Sequence, residues 1–132
     1  MRLAVTALVF VGGLFFSLLS LSFLLQPSAA LSNVGLTAGG IMGLATARAD
    51  FFAFFAIIGI GMIWGAWKRR GDVLLVPAVV LLLTLAGRLV SAVVDGAPDN
   101  LLLAVLIEGG LAAMLFFARA VLPHHRVQDV GD

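Results

Sequence analysis

The chain has 132 residues and a formal net charge of +1; 62% of its residues are hydrophobic and 11% are charged. A soluble domain is about half apolar and a quarter charged, so this composition indicates an integral membrane protein. The basic residues are scattered, which argues against a nucleic-acid-binding patch. Cysteine is absent, which excludes disulfides, thiolate metal sites and thiol catalysis.

Four apolar runs account for most of the chain. Each is long enough to cross a hydrocarbon core of about 30 Å. They predict an all-α membrane protein, a single four-transmembrane-helix bundle over residues 1–132. The predicted spans are residues 3–25, 49–67, 73–94 and 101–122, with a polar tail at 123–132.

The connection between the first two spans is the least apolar stretch. Residues 26–47 are rich in Ser, Gly and Ala and contain Pro27, a composition typical of loops. We expect a long external connection with a short interfacial helix around residues 31–44. The later connections, 68–72 and 95–100, are short and carry turn-forming residues.

The N-terminus has an alternative interpretation as a secretory signal. Arg2, an apolar run and the small residues Ser28, Ala29 and Ala30 follow the order of such a signal. The apolar run is about twice as long as a typical signal core, which favours a retained span. Cleavage would leave three spans and an external N-terminus.

The distribution of Lys and Arg predicts the orientation. Short loops with a positive excess lie on the cytoplasmic side, and six of the eight basic residues fall on one side of the predicted spans. Both termini are therefore expected in the cytoplasm, and the compact loops favour a bacterial inner membrane. The six residues are Arg2, Lys68, Arg69, Arg70, Arg119 and Arg126.

Polar residues on the third span form one stripe. Thr84, Arg88, Ser91 and Asp95 are spaced by four, three and four residues, which places them on one helix face. The same spacing marks a small and hydroxylated face on the first span. That face includes Ser17 and Ser20.

Arg88 and Glu108 interrupt otherwise apolar spans. A charge at the bilayer centre costs about 2.5 to 3.5 kcal/mol, so such residues are candidates for function. Each lies roughly 10 Å below the outer end of its helix, and a short turn joins the two helices. A salt bridge is therefore expected between them, extended by Arg48 and Asp50, with Asp95 as a further acceptor for Arg88.

Two interpretations of this ion cluster remain open. The charges can simply set helix order and rotation. Alternatively they form the floor of a cavity open to the outer leaflet, where Arg88 meets an anionic or carbonyl-bearing head group. The apolar wall would then consist of Phe51, Phe52, Phe54 and Phe55.

Three functional classes follow. The leading hypothesis is a noncatalytic protein that binds a lipid, quinone-like or other amphiphilic molecule, or supports a membrane complex. The second is a proton-coupled transporter using Glu108, and the third an intramembrane enzyme. No catalytic, metal-binding or cofactor-binding motif occurs in the sequence. Gly61 and Gly65 offer a small-xxx-small contact for a second copy.

The chain resembles a bacterial family of small four-helix membrane proteins known only as a domain of unknown function. The resemblance rests on the pairs at Arg48 and Asp50 and at Gly87 and Arg88, the turn of residues 95–98, and Glu108. The general layout is also similar to that of DoxX-like proteins. This resemblance implies the four-helix fold and a set of candidate positions, but no reaction. The positions are Arg48, Arg88, Asp95 and Glu108.

Overall fold

A computed structural model describes residues 2–123, which form helices and their connections with no strand among them. Four helical segments in this range are long and apolar enough to cross a membrane. The predicted all-helical class and the four long apolar helices are thus confirmed for the described residues. The helices are α1 (Arg2–Leu25), α2 (Pro27–Asn33), α3 (Gly40–Thr46), α4 (Phe52–Trp67), α5 (Leu75–Val94) and α6 (Leu101–Val121).

The second span is longer than predicted. One turn of π-helix, Ala47–Phe51, joins α3 to α4, so the span runs without a break from Gly40 to Trp67. Its start at Gly40 rather than at residue 49 was missed because its first turns are rich in Gly and Ala. The other spans begin and end within two residues of their predicted bounds. The predicted polar tail beyond Pro123, with Arg126, lies outside the described residues.

The predicted interfacial helix over residues 31–44 is wrong as a single element. Its N-terminal part belongs to α2 and its C-terminal part to α3, with non-helical backbone between Asn33 and Gly40. Gly35 and Gly40 have φ of +76° and +74°, a conformation open to glycine and costly for other residues. These glycines therefore end one helix and start the next.

Helices α1 and α4 pack with their backbones in close approach. A Cβ atom on Gly59 would lie 2.9 Å from the carbonyl oxygen of Gly13 and 2.7 Å from the amide nitrogen of Ser17. Small residues allow this distance, as is common where membrane helices associate. Nearer the end of α1, the Ser20 hydroxyl donates to the carbonyl of Phe52 at 3.0 Å. The polar face predicted on α1 thus serves the α1–α4 contact.

All four spans converge at the end of the molecule that contains the 68–72 connection, here called the loop end. The amide of Gly71 donates to the carbonyl of Pro123 at 3.1 Å, which ties this connection to the end of α6. Fully buried side chains from all four spans, together with Leu74 just before α5, form one core here. They include Val9, Ile58, Met62, Leu74, Ala78, Leu115 and Ala118.

The opposite end, which contains the 95–100 turn, is here called the open end. Helix α5 has no buried residue beyond Leu81, and α6 has none before Ala112. Helix α1, in contrast, stays buried against its neighbours as far as Phe23. The α1–α4 pair therefore separates from the α5–α6 pair towards the open end.

Gly61 and Gly65 pack within the chain. A Cβ on Gly61 would lie 3.2 Å from the Pro77 ring, and one on Gly65 would collide with the Leu74 side chain. The two glycines therefore seat the start of α5. A second copy would have to displace Pro77 and Leu74 to use the contact predicted from the sequence.

Candidate functional site

A cavity of about 940 Å³ occupies the gap between the two helix pairs. All four spans and the connection between α2 and α3 line it. Most of the lining is aliphatic or aromatic, and the polar contribution is confined to a few side chains. Among the described residues these are Asp50, Thr84, Arg88, Asn100 and Glu108.

Arg88 and Glu108 form the ion pair that their matched depths predict. The Nε of Arg88 donates to Oε1 of Glu108 at 2.6 Å. The two partners differ in exposure: 13% of the Glu108 side chain is exposed and 50% of the Arg88 side chain. The pair is therefore only half buried, and Glu108 is its more buried partner.

Each partner keeps unused hydrogen-bonding capacity. Within residues 2–123 the guanidinium of Arg88 makes no hydrogen bond besides the one from Nε, so the four N–H groups on its terminal nitrogens stay available. Glu108 Oε2 is shielded and has no partner in the same part of the chain. Buried polar atoms are nearly always paired, so this oxygen is an acceptor that the described residues leave unsatisfied.

Asp50 lies at the same level as this pair. Gly61 of α4 packs on Pro77 of α5. Eleven residues separate Gly61 from Asp50, and eleven separate Pro77 from Arg88. The two helices run in opposite directions, so equal steps from their contact bring Asp50 and Arg88 to one height, roughly 16 Å towards the open end. Both side chains line the cavity.

Arg48 and Asp95 do not join the pair, contrary to the expected network. Arg48 Nε donates to the carbonyl of Leu24 at 3.0 Å, in the last turn of α1, where carbonyls lack helical partners. Asp95 accepts a hydrogen bond from the Ser91 hydroxyl at 2.8 Å. Neither Arg48 nor Asp95 lines the cavity.

The remaining members of the predicted polar stripes have local roles. Thr84 lines the cavity, but its hydroxyl donates to the carbonyl of Val80 at 2.9 Å within its own helix. Ser17 faces Gly59 at the α1–α4 contact, and its shielded hydroxyl has no partner among the described residues. The stripe on α5 therefore supplies the cavity chiefly with Arg88.

Three of the four phenylalanines predicted as an apolar wall line the cavity, namely Phe51, Phe54 and Phe55. Phe52 does not, because residues 51, 54 and 55 share one helix face at spacings of three and four, and Phe52 lies about 100° around the helix from Phe51. Phe51 stacks on Phe23 at a ring separation of 4.9 Å. This stacking fixes the wall against α1.

Sequence reasoning missed the part of the lining that comes from the connections. Val34 and Leu36 reach the cavity from the segment between α2 and α3, and Asn100 reaches it from the turn before α6. The one available signal in the sequence was an apolar residue on either side of Gly35. Two apolar residues are too few to distinguish a cavity-lining segment from an ordinary loop.

A second ion pair lies at the loop end, far from the cavity. Arg70 Nη2 is 2.6 Å from Asp72 Oδ2. The hydrogen bond from the Arg70 guanidinium lowers the pKa of the Asp72 carboxyl, and the same bond raises the pKa of Arg70. This pair, which forms a second hydrogen bond from Nε of Arg70 to Oδ1 of Asp72 at 3.3 Å, supplies a control ion pair outside the cavity.

No protein-family model matches the chain, and no match was found among curated proteins or solved structures.

Proposed function

We propose that this is a noncatalytic multi-pass membrane protein that binds one amphiphilic molecule, a lipid or a quinone-like compound. The polar group of the ligand sits at Arg88 and Glu108, and its apolar part lies along the wall of Phe51, Phe54 and Phe55. The cavity itself is the observation that supports this. Ligand pockets typically have volumes of about 300 to 1,000 Å³, mostly apolar walls and a few polar groups.

Arg88 is the residue best suited to hold the ligand. Its terminal N–H groups have no protein partner in the described residues and match the oxygens of a phosphate or carboxylate, or a carbonyl. Glu108 holds the guanidinium through Nε, which leaves those groups directed elsewhere. The pair acts as a preformed anchor.

The positive-inside rule places the loop end in the cytoplasm and the cavity in the outer half of the membrane. Arg88 is thirteen residues from the start of α5, or roughly 20 Å along the helix axis. In a core about 30 Å thick, that depth lies roughly 10 Å inside the outer boundary. A lipid that enters from the outer leaflet would therefore lower its head group by about that distance.

A carrier mechanism has less support. Proton-coupled transport requires Glu108 to exchange partners during the cycle, whereas Glu108 already accepts a hydrogen bond from Arg88 at 2.6 Å. For an intramembrane enzyme, the one hydroxyl in the described lining, that of Thr84, donates to the carbonyl of Val80 rather than to a base. Support of a membrane complex is the outcome that remains if no molecule is bound.

Native mass spectrometry of the full chain, gently released from membranes, tests the proposal. We expect a retained small molecule on the wild type. The double variant Arg88→Leu with Glu108→Leu should lose it, because the anchor is gone while the apolar volume is kept. The matched control, Arg70→Leu with Asp72→Leu, removes the other ion pair and should retain the molecule.

The folded state of each variant is checked by the tryptophan fluorescence of the purified protein. A molecule held equally by the wild type and the folded cavity variant would refute binding at Arg88. No molecule on any of the three proteins would also refute it, and capture of a partner protein would then be the next experiment.

A further inference from the structure

We infer that the head group held in the cavity is zwitterionic, with an anionic group at Arg88 and a primary ammonium group at the carboxylate of Asp50. The corresponding ligand class is a phospholipid of the phosphatidylethanolamine type. This inference rests on the proposed function and narrows it to one class of head group.

The charges of the lining support the inference. Asp50 and Glu108 are acidic and Arg88 is basic, so the cavity carries one negative charge in excess. Arg88 and Glu108 neutralise each other at 2.6 Å, which leaves Asp50 as the uncompensated charge. A purely anionic head group would add a second negative charge at this level, and like charges disfavour each other.

Unused hydrogen-bonding groups indicate the same chemistry. Arg88 offers donors, whereas Asp50 offers acceptors and forms no ion pair with any described residue. A ligand that satisfies both residues needs acceptors and donors within one polar group. A phosphate linked to a primary ammonium supplies both, since an ammonium carries three N–H donors.

A quaternary ammonium group fits less well. Such groups have no N–H donors and are recognised over the open faces of aromatic rings. Phe51 stacks on Phe23 at 4.9 Å, and Phe55 stacks on Phe23 at 5.4 Å and on Phe16 at 6.1 Å. These stacked faces are occupied by other rings. Phe15 and Phe54 also line the cavity and meet other rings edge to face, so the preference for a primary ammonium comes from the unused acceptors of the Asp50 carboxylate.

The test is a lipid competition on the purified full chain. Delipidated protein in micelles is mixed with equal amounts of phosphatidylethanolamine, phosphatidylglycerol and phosphatidylcholine that carry identical acyl chains. Retained lipids are counted by native mass spectrometry. We expect phosphatidylethanolamine to exceed each of the others by about fivefold or more, equivalent to about 1 kcal/mol.

Variants that change one charge locate the preference. Asp50→Asn should lower the ratio of phosphatidylethanolamine to phosphatidylglycerol by about five- to tenfold, and Asp50→Glu should restore most of it. Asp99→Asn is the matched control. It makes the same change on an exposed turn residue outside the cavity lining and should leave the ratio unchanged.

The outcomes separate the two levels of the proposal. The zwitterionic assignment is overturned if the wild type retains phosphatidylglycerol or phosphatidylcholine to the same extent as phosphatidylethanolamine. It is also overturned if Asp50→Asn leaves the ratio of phosphatidylethanolamine to phosphatidylglycerol unchanged. Loss of those lipids from the Arg88→Leu, Glu108→Leu variant would still support the amphiphile site. If the wild type retains none of the three lipids, the zwitterionic assignment is overturned. If it also retains no other small molecule, the proposed function is overturned.

Discussion

Removing Arg88 alone should destabilise the protein far more than removing Arg88 and Glu108 together. In Arg88→Leu, the Glu108 carboxylate loses the partner of Oε1 while Oε2 already has none in the described residues. That side chain is only 13% exposed, so water restores little of the loss. Breaking a buried pair from one side typically costs about 3 to 5 kcal/mol.

The expected magnitudes follow from the unequal exposure of the partners. The Arg88 side chain is 50% exposed, which reduces the attraction, so we expect about 3 kcal/mol for Arg88→Leu, the lower end of that range. Glu108→Leu should cost about 1 kcal/mol, because the long Arg88 side chain can extend to the membrane surface. The double variant should lie within about 1 kcal/mol of the wild type, since apolar replacement of an ion pair is often neutral.

These values predict a coupling energy of about 3 to 5 kcal/mol between the two residues. The assay is equilibrium unfolding in mixed micelles, followed by the fluorescence of the chain's two tryptophans. Arg70 and Asp72 form the control cycle. Both of these side chains are 38% exposed, whereas Glu108 is 13% exposed, so their coupling should be weaker. Additive single effects at Arg88 and Glu108 would refute the reasoning, because the two side chains would then not depend on each other.

Two further predictions concern packing and pH. Gly59→Ala should destabilise the protein by about 1 to 3 kcal/mol, since the new Cβ would lie 2.7 Å from the Ser17 amide nitrogen. Gly87→Ala is the control, because a Cβ at that position would have no other atom within 4 Å. It should be neutral or slightly stabilising in the same unfolding assay. Equal effects of the two substitutions would contradict the close α1–α4 contact. Arg70 lowers the pKa of Asp72 in the folded protein. The ionised Asp72 carboxylate therefore contributes its full stabilisation above the pKa of Asp72 in the unfolded chain, about 3.9. This stabilisation is lost as the pH falls through the lower pKa of Asp72 in the folded protein. Asp72→Asn should therefore weaken the acid dependence of the unfolding midpoint, and an unchanged dependence would exclude a role for this pair.

The apolar runs of the sequence determined the helical class and the four spans. A hydrocarbon core of fixed thickness requires about twenty apolar residues per helix, and this requirement acts on each segment separately. The pairing of Arg88 with Glu108 was also predictable. Two charges at equal depth on helices joined by a short turn have few other partners.

Tertiary structure decided the rest of the site. Arg48 was expected beside Arg88 but donates to Leu24 instead, since the end of α1 presents a free carbonyl. The rotation and crossing of helices depend on contacts far apart in sequence, such as Gly13 with Gly59 and Gly61 with Pro77.

The cavity has the same origin. The first turns of α5 and the last turns of α6 are the parts of those helices that bury residues, so the two helix pairs meet at the loop end and diverge at the open end. No periodicity in a single helix encodes that divergence. It follows from where small residues permit close approach between helices, and the gap it leaves is the site proposed for the amphiphile.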